Sequence, residues 1–275
     1  MADDFSHRYG PWALVTGASS GIGEQFARAL AARGLNLIVT ARRAALLETL
    51  AADIGHRHGV RVEVLALDLS RQDFLPALTA ACADKDIGLV VSNAGFGLKG
   101  ENHRQDSAQL TAMLNVNCHA PMIVAWHFAP RLIERGRGGL LITSSMEAFV
   151  AFPYSAAYSA TKAFSRWLGE SLWVELRPYG VDVMVLAPGA TDTEALTLQG
   201  FDKNQMTGVM TPADVVREAL DRLGRRPVVL TGWLNRVFVG FLTMLPRRAA
   251  VLIAGKGMKM AIEQASKARG PRAPS

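Results

Sequence analysis

Short apolar runs alternate along the chain with longer segments in which apolar residues recur at helical spacing. The runs are predicted to be buried β-strands, and they cover residues 12–16, 35–40, 62–67, 89–91, 139–143, 181–186 and 228–232. Helical periodicity is clearest from Ser155 to Arg177, and another helical region, either single or in two abutting parts, covers 108–134. Strands that alternate with helices predict an α/β fold built as a doubly wound parallel sheet.

A glycine-rich turn joins the first predicted strand to the first helix. Its sequence is Gly17-Ala18-Ser19-Ser20-Gly21-Ile22-Gly23. Between a strand and a helix, such glycines let the backbone approach a pyrophosphate, whose charge then lies at the helix N-terminus. The spacing differs from the commonest dinucleotide fingerprint, so an ordinary glycine turn is the alternative. We predict a dinucleotide site here.

The end of the second predicted strand indicates which dinucleotide is bound. An NAD site carries Asp or Glu about 20 residues past the glycines, where it holds the ribose 2′-hydroxyl. This chain instead has Ala41-Arg42-Arg43. Guanidinium groups suit a 2′-phosphate because their forked donors match phosphate oxygens. NADP(H) is therefore the predicted cofactor, and the alternative is a solvated pair at the start of a helix.

Polar residues follow the third and fourth strands, at the sheet edge that faces a ligand crevice. Asp68-Leu69 comes after the third strand; Asp68 could accept from an adenine amine, cap a helix beginning near Ser70, or do both. Asn93-Ala94-Gly95 follows the fourth strand. Asn93 is expected to tie neighbouring strand ends together, and Gly95 lets the chain pass close to the cofactor. In the helical region beyond, Asn115 and Asn117 interrupt the apolar pattern, either as structural contacts or as part of a polar relay.

Tyr158 and Lys162 are four residues apart and fall on one face of a predicted helix, with about 5–6 Å between Cβ atoms. A tyrosine pKa is ordinarily about 10, and a nearby cation lowers it, so this pair is expected to act as a general acid and base. Ser144-Ser145 follows the fifth strand and reaches the same sheet edge. A Tyr-x-x-x-Lys pair alone is weak evidence, because many helices carry one by chance.

The combined pattern resembles the short-chain dehydrogenase/reductase family, a Rossmann-type fold, from about residue 10 to about residue 195. The matching pieces are Thr16 to Gly23, Asn93-Ala94-Gly95, Asn117, Ser145, Tyr158-x-x-x-Lys162 and Pro188-Gly189. The resemblance implies catalytic roles for Asn117, Ser145, Tyr158 and Lys162, and it favours Ser145 over Ser144 because Tyr158 follows thirteen residues later.

By the same resemblance, Ser145 holds the substrate carbonyl and Tyr158 donates the proton. Lys162 binds the nicotinamide ribose and lowers the Tyr158 pKa, and Asn117 keeps a water in place for proton return. Thr193 contacts the nicotinamide end, and Thr191 joins Pro188 and Gly189 in the predicted cofactor contacts. The family commonly pairs through two long helices, which implies a homodimer or homotetramer.

Composition and charge bound the partners and the location. The 275 residues carry a net charge of +6, and from Pro246 to Ser275 seven basic side chains accompany one acid, Glu263. A basic tail on a neutral body predicts no nucleic-acid partner. The chain shows neither an apolar signal segment nor the ~20 apolar residues of a spanning helix. With two cysteines, Cys82 and Cys118, we expect free thiols in the cytoplasm, and we predict no metal site.

The regions beyond the motifs are expected to shape the substrate site. Residues 190–210 carry Leu and Met, which indicate either an apolar substrate lid or ordinary packing. We predict a single catalytic domain over 1–232 with a helical extension over 233–275, made of two helices. The extension could close over the cleft, dock peripherally on a membrane, or contact another copy of the chain.

The sequence thus predicts an NADPH-dependent carbonyl reductase, reversible as an alcohol dehydrogenase, for a small apolar ketone or aldehyde of 3-oxoacyl, steroid-like or lipid-like type. One alternative is an NAD-linked alcohol oxidiser. Another, from a different class, is a non-catalytic nucleotide-sensing or membrane-docked module, since a fold does not fix a function.

Overall fold

Seven parallel strands form one sheet in the order β3-β2-β1-β4-β5-β6-β7 in the computed structural model, which describes residues 2–199 and 201–269. The strands are β1 (Trp12–Thr16), β2 (Asn36–Ala41), β3 (Val62–Ala66), β4 (Ile87–Ser92), β5 (Gly138–Thr143), β6 (Val181–Ala187) and β7 (Val228–Leu230). This topology confirms the predicted doubly wound parallel sheet. The order reverses between β1 and β4, and a ligand crevice is expected at that point.

Helices cover both faces of the sheet. Those described are α1 (Ala2–Tyr9), α2 (Gly21–Ala31), α3 (Ala44–His58), α4 (Leu75–Cys82), α5 (Ser107–Leu114), α6 (Ala120–Arg135), α7 (Ala156–Leu176), α8 (Glu194–Leu198), α9 (Pro212–Arg222), α10 (Trp233–Met244) and α11 (Arg247–Arg269). Phe26 of α2 and Leu47 of α3 are buried on one face, and Phe74 and Phe128 on the other. Burial on both faces explains why the central strands β1, β4, β5 and β6 are apolar almost without interruption, whereas no residue of the edge strand β3 is buried.

Three local features differ from the sequence prediction or sharpen it. The helix expected near Ser70 begins only at Leu75, because the Asp68 carboxylate accepts from the Ser70 amide (2.9 Å) and closes a turn instead of capping a helix. Helices α5 and α6 are joined through a π-helical segment, Asn115–His119, which accounts for the broken apolar pattern. Pro212 follows Thr211, whose hydroxyl accepts from the Asp214 amide and caps α9 as the sequence suggests.

The N-terminal helix α1 was not predicted. It ends at Tyr9, whose hydroxyl donates to the Asp182 carboxylate (2.6 Å), and Arg8 donates to the same group at 2.5 Å. Both contacts fix α1 beside β6, and Tyr9 itself is buried. An isolated helix of eight residues is marginal in water, so its formation depends on this long-range docking, which the sequence alone does not show.

The C-terminal helices α10 and α11 pack on the segment that follows β5. Phe152, Leu242 and Ala254 form a small buried cluster there. The Asn235 side chain lies against the Pro188-Gly189 turn. The contact is close enough that a Cβ at position 189 would be 2.3 Å from Asn235 Nδ2. Residues 270–275 of the predicted extension lie outside the described residues. No helix among the described residues has the length and apolar content needed to cross a membrane.

Candidate active site

The glycine-rich turn provides a cradle with room for a phosphate-bearing ligand. Gly17 and Gly21 have φ values of +69° and +61°, in the left-handed region that favours glycine. A Cβ at Gly23 would lie 2.2 Å from the Gly17 carbonyl oxygen, so only glycine fits this position. The N-terminus of α2 follows at once, where its unpaired amides and dipole favour an anion. The cradle therefore fits the pyrophosphate of a dinucleotide.

Asn93 ties three strand ends together beside this cradle. Its amide nitrogen and that of Ala94 both donate to Thr16 Oγ1 (2.9 and 3.0 Å), and its Nδ2 donates to the Thr16 carbonyl at 3.2 Å. Thr143 Oγ1 donates to Asn93 Oδ1 (3.2 Å). These bonds hold the ends of β1, β4 and β5 in register, which is the role expected for Asn93.

Asn117 lies in the π-helical segment, with its side chain behind the site. Its Nδ2 donates to the Phe96 carbonyl and to Thr161 Oγ1, both at 2.9 Å, and its Oδ1 accepts from the Phe96 amide at 3.1 Å. The side chain is buried and its polar groups are paired, so it joins the loop after β4 to α7. Its amide group makes structural contacts, which is one of the two roles that the sequence leaves open, and its role in proton return stays a prediction.

The two serines after β5 both border the cavity, but their hydroxyls have different hydrogen-bond partners. Ser144 Oγ donates to the Lys162 carbonyl (2.7 Å) and is buried in the helix packing. Ser145 lines the cavity, and its Oγ accepts from the Glu147 amide at 3.2 Å. A hydrogen bond with Ser145 also acts to lower the Tyr158 pKa. The geometry therefore places Ser145 next to the phenol, as the thirteen-residue interval suggests.

Tyr158 and Lys162 meet in this cavity, but the prediction that the Tyr158 pKa is lowered is wrong for this structure, because burial outweighs the nearby cation. Burial raises the Tyr158 pKa above its ordinary value, and the Glu147 carboxylate adds to that effect. Burial also lowers the Lys162 pKa to about 8, and its Nζ donates to the Thr143 carbonyl at 3.0 Å. Desolvation dominates because both groups are removed from water.

Arg42 and Arg43 lie at the other end of the cavity, and Arg43 is held across the cradle. Its Nη2 donates to Ser20 Oγ (2.9 Å) and Ser19 Oγ (3.3 Å). The same guanidinium forms a bidentate ion pair with Glu194 at the start of α8, with both contacts at 2.8 Å. Arg42 is exposed and borders the cavity.

One cavity of about 750 Å³ joins these parts. The predicted site residues along its wall are Gly17, Ser19, Ser20, Gly21, Ile22, Arg42, Arg43, Asp68, Leu69, Asn93, Ala94, Gly95, Ser145, Tyr158, Lys162, Pro188, Gly189, Thr191 and Thr193. Gly23 and Asn117 lie behind the wall. Thr193 packs against Gly21, since a Cβ there would be 2.9 Å from Thr193 Cγ2.

The far end of the cavity is apolar. Its wall includes residues of the segment for which the sequence leaves two alternatives, an apolar substrate lid or ordinary packing. These residues are Leu196, Leu198, Phe201 and Met206. The extension contributes further residues, which are Phe238, Ile253, Ala254, Gly257, Met258 and Ala261. Met210 instead packs against the core. The sequence does not show which residues of α10 and α11 line the cavity, because this depends on where the two helices dock on the rest of the protein.

Three charged side chains in the site were missed by sequence reasoning. They are Lys99 after β4, Glu147 after β5 and Glu194 at the start of α8, and all three border the cavity. None belongs to a recognisable motif. The one signal in the sequence is position, since Lys99 and Glu147 follow strand ends on the crevice side of the sheet.

Comparisons with known proteins agree with this arrangement. The family model for short chain dehydrogenase matches residues 11–203. A 7beta-hydroxysteroid dehydrogenase from Clostridium sardiniense is 33% identical over 234 residues, which is 85% of this chain and 90% of that protein. A solved structure of a 7beta-hydroxysteroid dehydrogenase superposes with a TM-score of 0.85 at 28% identity, over 91% of this chain and 98% of that one. A short-chain dehydrogenase from Sphingobium yanoikuyae in complex with NADPH gives 0.75 at 34% identity, over 81% and 87%.

Proposed function

The chain belongs to the short-chain dehydrogenase/reductase family, and on this premise we propose that it is an NADPH-dependent carbonyl reductase, reversible as an alcohol dehydrogenase. The observation that carries the proposal is a single cavity that joins the glycine cradle to Ser145, Tyr158 and Lys162. A module without chemistry would not need a serine hydroxyl and a buried phenol beside a nucleotide site. We therefore disfavour the non-catalytic alternative.

The chemistry divides between cofactor and protein. A bound nicotinamide supplies the hydride that is added to the carbonyl carbon. Ser145 holds the carbonyl oxygen, and Tyr158 gives its phenolic proton to that oxygen, so that the alcohol leaves with one added hydride and one added proton. The raised Tyr158 pKa keeps the phenol protonated at neutral pH, which suits the reductive direction. Lys162 would hold the nicotinamide ribose and stabilise the phenolate.

An apolar ketone or aldehyde is the proposed substrate, of steroid-like, 3-oxoacyl or lipid-like type. Support comes from the apolar far end of the cavity, which Leu196, Leu198, Phe201 and Met206 enclose together with side chains of α11. The similar proteins include 7beta-hydroxysteroid dehydrogenases, whose name indicates a bulky apolar substrate. The extension therefore acts as a wall of the substrate site in this proposal. The test is a panel of ketones and aldehydes of rising chain length, followed by NADPH absorbance; no turnover of any member would contradict the proposal.

Filling the apolar end is expected to shorten the accepted substrates. A Cβ at Gly257 of α11 meets nothing within 4 Å, so Gly257→Leu extends into the cavity without a backbone clash. We expect kcat/KM to fall about tenfold for the longest ketones, whose apolar ends lose about 1.4 kcal/mol of contact, and to stay within twofold for the shortest.

The matched control is Gly240→Leu on α10. That glycine also has open space around its Cβ position but does not border the cavity. Both replacements raise helix propensity by a similar amount, so a general effect on stability would appear in both variants. Equal losses for long and short substrates in Gly257→Leu would remove α11 from the substrate site.

We also propose that α10 docks peripherally on an anionic membrane surface. Its outer face carries exposed apolar side chains one turn apart, from Trp233, which is 66% exposed, to Met244, which is 87% exposed. Val237 and Phe241 lie between them. Exposed apolar patches of this kind mark interaction sites. Arg247 and Arg248 are exposed directly after α10, and Lys256 and Lys259 are exposed further along α11, so the extension combines apolar and basic side chains, which favours anionic lipid.

A co-sedimentation assay tests the docking. We expect the protein to pellet with vesicles containing phosphatidylserine more than with phosphatidylcholine vesicles, and the Trp233→Ser/Phe241→Ser variant to stay in the supernatant. The reciprocal variant is Trp167→Ser, which removes an equally exposed tryptophan from α7, on the surface proposed below for pairing. The proposal would be contradicted if the wild-type protein bound no lipid and the α10 variant lost an oligomer that the wild type forms. In that case α10 would contact a second copy of the chain instead of a membrane.

A homodimer or homotetramer through α6 and α7 is the proposed assembly. Trp126 and Trp167 are 67% and 70% exposed there, which is unusual for a surface that faces only water. Trp167→Ser is therefore expected to reduce the mass seen by light scattering without changing lipid binding. The proposed location is the cytoplasm, in keeping with the two free buried cysteines, Cys82 and Cys118.

A further inference from the structure

Two charged side chains that the mechanism above does not use are buried beside Tyr158. Lys99 and Glu147 have side chains 8% and 12% exposed, and Lys99 Nζ lies 2.6 Å from Glu147 Oε1. Ser155 closes the network, because its Oγ accepts from Lys99 Nζ at 2.7 Å and donates to Glu147 Oε2 at 2.5 Å. The network joins the loop after β4, the segment after β5 and the start of α7.

A buried ion pair is poor evidence for a stabilising role. Removing two charges from water is costly, and well-packed apolar residues of similar size often serve stability as well or better. A pair that lies beside a reacting group therefore calls for another explanation. Here that group is Tyr158.

The ammonium of Lys99 lies on the face of the Tyr158 ring. Its Nζ is 4.5 Å from the ring centroid, nearer than Lys162 Nζ, which is 5.7 Å away. Gly97 makes the approach possible, since a Cβ there would be 2.9 Å from the ring Cδ2. The loop is fixed further by two bonds, from Gln105 Nε2 to the Lys99 carbonyl (3.0 Å) and from the Gly100 amide to the Tyr154 carbonyl (2.7 Å).

We propose that Lys99 is a positioning residue whose ammonium, held by Glu147 and Ser155 against the ring, orients Tyr158 and stabilises the phenolate left after proton transfer. The inference rests on the proposed function. A cation over an aromatic face is attracted to the ring, and the attraction grows when both are removed from water. In the proton-transfer step itself, the O–H bond of Tyr158 breaks and a new O–H bond forms on the substrate oxygen, so the negative charge moves from that oxygen to the phenolate.

Several charged or polar groups face Tyr158, and their effects differ in sign. The ammonium groups of Lys99 and Lys162 lie over the ring and attract the negative charge of a phenolate, and the hydrogen bond with Ser145 acts to lower the Tyr158 pKa. Glu147 opposes it, and Cys118, in the π-helical segment, interacts with Lys162. Glu147 thus has two opposed effects, since it holds the cation in place and its own charge disfavours the phenolate.

The test uses the full-length protein with tyrosine labelled with 13C at Cζ, whose resonance reports ionisation of the phenol. The chain has four tyrosines, and Tyr158→Phe assigns the signal of interest. In Lys99→Met, we expect the titration of Tyr158 to move to higher pH by about one unit, which corresponds to a factor of ten or about 1.4 kcal/mol. In Glu147→Gln, it is expected to move the opposite way or to remain unchanged.

A second variant guards against loss of folding. Lys99→Met alone leaves an unpaired buried carboxylate, so its thermal melting is expected to fall, whereas Lys99→Met/Glu147→Gln restores melting. The double variant lacks both the cation and the opposing carboxylate, so its Tyr158 titration is compared with that of Glu147→Gln and is expected at higher pH. If the double variant titrated like Glu147→Gln, Lys99 would have no effect on the phenol beyond its structural role, and the inference would be overturned. It would equally be overturned by titrations that stay unchanged in Lys99→Met.

Turnover provides an independent readout. The pH profile of alcohol oxidation, in which Tyr158 must accept a proton, is expected to shift to higher pH in Lys99→Met by the same amount. The magnetic resonance titration needs no substrate. Shifted titrations in a protein without any turnover would thus contradict the proposed function and leave the positioning role of Lys99 standing.

Discussion

Tyr158→Phe is expected to lower kcat by about 10²- to 10⁴-fold, the usual contribution of a positioned general acid, while NADPH still binds. The change removes one oxygen atom and keeps the buried ring, so the contacts of Lys99 and Gly97 with that ring remain. The dinucleotide cradle lies elsewhere, at Gly17 to Gly23, and is untouched. Single-turnover absorbance with a responsive ketone measures the rate, and NADPH fluorescence measures binding.

Tyr154→Phe is the matched control. Tyr154 lies four residues earlier and does not border the cavity, and its backbone carbonyl accepts from the Gly100 amide at 2.7 Å. Its replacement is expected to leave kcat within twofold. A Tyr158→Phe variant that turned over at nearly the wild-type rate would exclude the phenol as proton donor and leave only a nucleotide-binding scaffold.

Arg43→Ala is expected to weaken NADPH binding about 10- to 100-fold and to leave NADH binding nearly unchanged. Charge-assisted hydrogen bonds to a phosphate are worth more than neutral ones, and Arg43 already lies over the hydroxyls of Ser19 and Ser20. NADH has no 2′-phosphate and so loses nothing by the change. Dissociation constants for the two cofactors, measured by fluorescence, decide between an NADPH enzyme and an NAD-linked alcohol oxidiser.

Two further variants sharpen the comparison. Arg42→Ala is also expected to lose preference for NADPH, since this guanidinium borders the same end of the cavity. Glu194→Gln removes the carboxylate that pairs with Arg43 and is expected to raise NADPH affinity, because a phosphate would no longer compete with it. If both arginine variants kept the wild-type ratio of the two affinities, the NADP(H) assignment would fall.

Much of the fold follows from the order of residues along the chain. The apolar runs that predict strands end within about two residues of the ends of β1 to β7. The central strands are buried on both faces and leave an unbroken apolar run, and the edge strand β3 still carries mostly apolar residues. The glycine spacing from Gly17 to Gly23 and the interval from Ser145 to Tyr158 are short-range features of the sequence, so they can be identified without the structure. Family membership rests on the same spacings.

The electrostatics of the site were decided only by the tertiary structure. Lys99 and Glu147 are 48 residues apart in sequence, and Arg43 and Glu194 are 151 apart, so no local pattern brings either pair together. The pKa of Tyr158 was misjudged from its spacing to Lys162, because spacing gives proximity and not burial. The contacts of α11 with the cavity likewise depend on the docking of the extension.

The chain's sequence by itself determined the sheet, the nucleotide cradle and the set of residues at the strand ends. The tertiary structure decided which charges those residues meet and how much water surrounds them. The physical reason is that periodicity and motif spacing are properties of neighbouring residues, whereas desolvation and long-range ion pairs arise only when distant segments close over one another.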